Sequence, residues 1–194
     1  MPASRAFLTA ILAAASLSAQ QPLITTGTAN VNGFSYPYTI RHLPVSSFPE
    51  LPAPLVAVLA RRGCLIPQSY EAHHPENVIH GSFERPGSSD WAVLCLKDRV
   101  VALMIFLESA PDKPLTLATA DDTFRLSSRP GSAELGFNWA IDTVPPERVR
   151  QAQKDLNRPQ RADHDAIADS VLEQRTVYRY FSNGSWTQLP LPEK

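Results

Sequence analysis

The chain has 194 residues, of which 43% are apolar and 19% charged, and its formal net charge is −1. That length supports one domain with its own core, and the composition excludes a disordered chain and a multi-span membrane protein. The near-neutral charge balance gives no electrostatic basis for binding nucleic acid or an anionic lipid surface.

The first predicted element is an export signal. Arg5 precedes an apolar run from Phe7 to Leu17, and small residues follow with a cleavage position after Ser18 or Ala19. The run is roughly half the length that a membrane-spanning helix needs. A signal peptide is therefore expected over residues 1–19 and a single secreted domain over 20–194, periplasmic or extracellular, with no membrane span in the mature protein. In an oxidising compartment the two cysteines, Cys64 and Cys95, are expected to form a disulfide.

Residues 20–33 are small, polar and uncharged, and read as a lead-in or a first edge strand. Phe34 to Ile40 alternates as a half-buried strand does, and Pro37 within it favours an edge position. A proline-rich extended segment, residues 44–54, leads to a helix that opens at Pro52 or Pro54. Leu55, Val58 and Leu59 fall at helical spacing, Arg61 and Arg62 suit the last turn, and Gly63 suits the stop.

After a polar stretch to Glu76, three strands are predicted at Asn77–Phe83, Trp91–Leu96 and Val100–Leu107, forming an antiparallel meander. The third is almost wholly apolar, as a central strand covered on both faces would be. Short strands are expected near Leu115–Ala118, Thr123–Leu126 and Leu135–Ile141. A helix follows over Glu147–Leu156 behind Pro145-Pro146, then a short helix over Ala166–Leu172 capped by Asp163 or Asp165. Thr176–Phe181 and Trp186–Leu189 form a terminal hairpin across Asn183-Gly184. The fold class is α+β, one domain built mainly of antiparallel sheet with two or three short helices.

Two segments carry a resemblance. One is G-C-L-I-P-Q (Gly63 to Gln68) with N-V-I-H-G-S-F-E-R-P-G-S-S-D-W-A-V-L-C (Asn77 to Cys95); the other is H-D-A-I-A-D (His164 to Asp169) with V-Y-R-Y and N-G-S-W after it. Both resemble a group of small secreted bacterial proteins, in which a C-x-I-P-Q … N-V-I-x-G-x-F … D-W-A-V-L-C pattern precedes an apolar strand. Ala166 stands where that group carries glycine. The resemblance covers about residues 48–107 and 160–190 and implies secretion and a single domain, without an activity.

The polar residues offer several chemistries. His73, His74, His80 and His164, with Asp163, Asp165 and Asp169, are the residue types that bind metals, but no metal-binding spacing joins them, and a solvated loop and helix caps are the simpler expectation. Asp163, Asp165 and Asp169 lack the glycine and glutamate of a calcium loop. No cofactor motif is present, so none is expected. Asp90, His164 and Asp165 are the candidate catalytic residues if a cleft brings them together. Gln68, Trp91, Tyr178, Tyr180 and Trp186 are the candidate binding residues, the aromatics as a platform for a glycan or peptide. The expected function is a binding or accessory domain of the cell envelope without catalysis of its own, with an envelope protein or glycan as partner. The alternatives are a periplasmic hydrolase on Asp90, His164 and Asp165, and an envelope inhibitor or stress protein that captures another chain by an exposed strand edge.

Overall fold

In the computed structural model, which describes residues 23–129 and 131–191, the first element is a strand pair. The expected signal peptide lies outside the described residues. β1 (Leu23–Val31) runs antiparallel to β2 (Phe34–Pro44) along its whole length. Asn32 and Gly33 join them with φ of 52° and 84°, the left-handed pair whose twist matches that of the strands. A Cβ at Gly27 would lie 2.7 Å from the Tyr38 hydroxyl, so the absent side chain lets that ring cross β1. β2 is no edge strand: it also pairs antiparallel with β3 (Leu65–Gln68) and parallel with β9 (Leu135–Phe137). Pro37 is tolerated because β9 begins pairing at Tyr38 and β3 at Arg41, leaving β1 as the one strand beside it.

The first helix forms as its punctuation predicts. α1 (Ala53–Arg62) carries Pro54 in its first turn and ends at Gly63, whose φ of 70° is left-handed. It buries Leu55, Val58 and Leu59 and delivers the chain into Cys64, which is bonded to Cys95 across 31 residues. Cys95 lies in the middle of the meander formed by β4 (Val78–Gly81), β5 (Asp90–Lys97) and β6 (Val100–Phe106). The disulfide thus ties the end of the helix to the middle strand, as expected. β7 (Leu115–Asp121) extends the meander, and a 3-10 turn (Asp122–Arg125) leads to β8 (Leu126–Ser128). The second predicted short strand is thereby displaced towards the C-terminus.

Residues 135–141 do not form a single strand. The run breaks at Asn138, sending β9 to the first sheet and β10 (Trp139–Val144) to a second one. α2 (Pro146–Asp155) follows, then β11 (Ala166–Val171), β12 (Arg175–Ser182) and β13 (Ser185–Pro190), giving the order β10-β11-β12-β13. The helix expected over Ala166–Leu172 is therefore strand β11. Two neighbouring strands cover it on both sides, and that tertiary pairing overrides a weak local preference for helix.

Side-chain alternation stacks four layers. Val93, Cys95, Met104 and Phe106 face α1. Ala92, Leu94, Leu103 and Ile105 face the opposite way, against Trp139, Ile141 and Ile167 of the second sheet. The far face of that sheet, with Ala166, Ala168, Tyr180 and Leu189, packs on Val149 of α2. β6 is thus apolar on both faces because both are covered. Among the described residues no helix is long and apolar enough to cross a membrane.

Candidate functional site

Asp90 begins β5 and is fully buried. Its Oδ2 accepts the backbone N–H of Phe83 and of Glu84, each at 2.8 Å, and the Ser88 hydroxyl at 2.5 Å; its Oδ1 accepts Glu108 N–H at 2.7 Å. Four donors on one carboxylate give it the form of a staple that closes the 83–88 turn. No oxygen is left free to take a proton from a substrate. Asp165 does similar work: its Oδ2 accepts Ser82 N–H at 2.9 Å, and its own N–H donates to Ser82 O at 3.0 Å. The two carboxylates border one loop, Asp90 engaged through both oxygens and Asp165 through Oδ2.

His164 belongs to another neighbourhood. Its buried ring stacks on Tyr180 with centroids 4.5 Å apart, and Nδ1 donates to Asp163 Oδ1 at 2.7 Å. The Tyr180 hydroxyl donates to the same oxygen at 3.1 Å. The His164 hydrogen bond holds the Asp163 carboxyl below its usual pKa, while burial pushes the Tyr180 phenol up. An aspartate-oriented imidazole is the arrangement of a general base, but here Nε2 is buried without a hydrogen-bond partner. The dyad therefore exposes no nitrogen to a substrate.

Gln68 and Asn77 are also staples. Gln68 exchanges hydrogen bonds with Glu76, donating to its carbonyl at 3.0 Å and accepting its N–H at 2.9 Å. Asn77 joins the two sheets: Nδ2 donates to Pro67 O at 2.7 Å and Trp139 O at 3.2 Å, and Oδ1 accepts Ile141 N–H at 3.1 Å. Above it a cleft of about 300 Å³ is rimmed by Glu71, His74, Glu76 and Asp142. His80 packs on Trp91 at 4.7 Å, and His74 reaches Glu76 at 3.7 Å, so the histidines are dispersed. Among the described residues no three metal-binding side chains are grouped to hold an ion.

The aromatics do not form a platform. Tyr178 and Tyr180 share a face of β12, but that face packs on α2. Trp186 pairs with Phe181 and therefore lies on the opposite face, against the inter-sheet core. Trp91 is buried beneath α1.

Two features were not legible as sites in the sequence. One is a buried charge cluster in which Asp169 accepts both Trp139 Nε1–H and Arg179. The other is the β1–β2 arm. Thr26, Thr28 and Asn30 on β1 and Phe34–Pro37 on β2 are exposed, as are Leu23, Ile24 and Val31. Phe34 is 68% exposed and Ile24 62%. Among the described residues β1 has β2 as its one strand partner, which leaves its outer edge open to them. From residue 6 to residue 40 the chain contains no Asp, Glu, Lys, Arg or His. The signal that could have located the arm was Asn32-Gly33 flanked by alternating residues. Comparison with protein-family models, curated proteins and solved structures finds no match.

Proposed function

We propose that this protein is a secreted, disulfide-tied binding domain of the cell envelope, and that it holds its partner along the outer edge of β1. The observation that carries the reading is the uncharged, open nine-residue strand with exposed apolar residues at both ends. Exposed edges of natural sheets are generally blunted by lysine, proline, bulges or a covering segment, because an unprotected edge recruits another strand. β1 has none of the first two. The occupant is an extended, uncharged segment of another envelope polypeptide, added as a further strand: a charged segment would lose hydration along this edge without finding a counter-charge.

The donors on both oxygens of the buried Asp90 and the covered Nε2 of His164 favour this reading over a hydrolase. The covered Tyr178–Tyr180 face favours a strand over a glycan as ligand. The test places lysine on the exposed positions Thr26 and Thr28. The double variant is expected to keep the wild-type melting temperature and to lose association with its envelope partner, measured by co-purification from cells under mild cross-linking. Undiminished co-purification by a folded double variant contradicts the proposal.

A further inference from the structure

Arg125 closes the 3-10 turn before β8, and its guanidinium carbon lies 4.1 Å from the ring centre of Trp139. Trp139 is fully buried and donates Nε1–H to Asp169 Oδ1 at 2.7 Å. Arg179 takes the other oxygen of that carboxylate, with Nε at 2.7 Å and a second nitrogen at 2.6 Å. Both oxygens of Asp169 thus hold other donors, and neither is hydrogen-bonded to Arg125. Among the described residues the Arg125 guanidinium has no hydrogen-bond acceptor, although the residue is half-buried.

The strand register adds another cation. Trp139 pairs with Val171 and Val171 with Arg175, so Trp139 and Arg175 occupy one cross-strand row on the inter-sheet face. Two arginines of β12, the exposed Arg175 and the Asp169-bound Arg179, thus lie within electrostatic range of Arg125. Burial, and then repulsion from Arg175 and Arg179, holds the Arg125 pKa below the usual guanidinium value, against the opposing attraction of Asp169. A guanidinium whose face is covered by an indole keeps its N–H donors in its own plane, where they match two oxygens of one planar or tetrahedral anion.

We propose that Arg125, supported by Arg175 over the floor formed by Trp139, binds a single oxyanion group, a carboxylate or a phosphate. The ligand supplies the acceptor that Arg125 lacks and reduces the repulsion among the three cations. The site is separate from the β1 edge and does not depend on it.

The experiment titrates the protein with inorganic phosphate and, separately, with acetate, at ionic strength held constant with chloride, and follows the indole Nε1–H resonance of Trp139. The expected result is a saturable shift of that resonance with at least one anion. Response to phosphate alone assigns a phosphate site, and response to acetate, with or without phosphate, a carboxylate-competent one. Arg125→Gln is expected to weaken the binding at least about tenfold, and Arg175→Gln by a smaller factor. Arg175→Gln also serves if Arg125→Gln disturbs the ring beneath it. No saturable shift with either anion, or unchanged affinity in both variants, overturns the proposal.

Discussion

Asp90 illustrates how a residue with the appearance of a catalyst can be a structural one. A carboxylate accepting three backbone N–H groups and a hydroxyl fixes a turn whose donors would otherwise be buried without partners. Asp90→Asn turns an acceptor toward donors with an amide that must itself donate. It is expected to cost about 2–4 kcal/mol, read from urea denaturation; a loss near zero contradicts the staple. His42 offers a pH-dependent counterpart. It is 2% exposed, Nε2 lies 3.0 Å from Thr25 Oγ1, and Nδ1 is buried without a partner. Burial holds its pKa below 6.5, against an opposing pull from Asp122. The folded state thus takes up the proton less readily than the unfolded chain. The stability due to the neutral ring is complete above pH 6.5 and is lost as pH falls through 6.5 towards the folded value. His42→Gln should flatten that part of the stability profile in denaturation at stepwise lower pH; equal slopes in both proteins contradict it.

At the level of elements, legibility followed the strength of local signals. α1 was readable because Pro54, two terminal arginines and Gly63 all specify the same helix. The terminal hairpin was readable because Asn183-Gly184 allows few other turns, with φ of 53° and 75°. β11 was not, since Ala166–Val171 has no alternation when both faces and both edges are covered. Nor was the break at Asn138, where the chain changes sheets with no proline and with Gly136 inside β9. Among candidate site residues, the Cys64–Cys95 bond could be expected from the compartment, whereas the partners of Gln68, Asn77 and Asp90 depend on loops that meet only in the fold. The disulfide closes a separation of 31 residues. Replacing both cysteines with alanine should lower stability by about 3–4 kcal/mol in the chain-entropy view, measured against a reduced wild-type control. A reduced control as stable as the oxidised protein contradicts that role.

For the whole molecule, the four layers leave Asp90, Gln68 and Asn77 inside and the uncharged strand β1 outside. Asn77 joins the layers, bridging Pro67 in the first sheet to Trp139 and Ile141 in the second. Asn77→Ala strands two buried carbonyls and one N–H and is expected to cost about 2–4 kcal/mol. Loss of cooperativity in the unfolding transition would locate the damage between the sheets. The distribution of roles is the central claim: Asp90, Asp165 and Asn77 hold the scaffold, and the edge of β1 meets the partner. Its most direct measurement is site-specific photocross-linking in intact cells, with the photoreactive group placed at Thr28 on β1 or at Gln151 on α2. A discrete adduct of foreign polypeptide from Thr28, absent from Gln151 and abolished by Thr26→Lys, is the expected result. Adduct from Gln151 alone, from neither position, or only with a second copy of this chain contradicts docking of an envelope partner at β1.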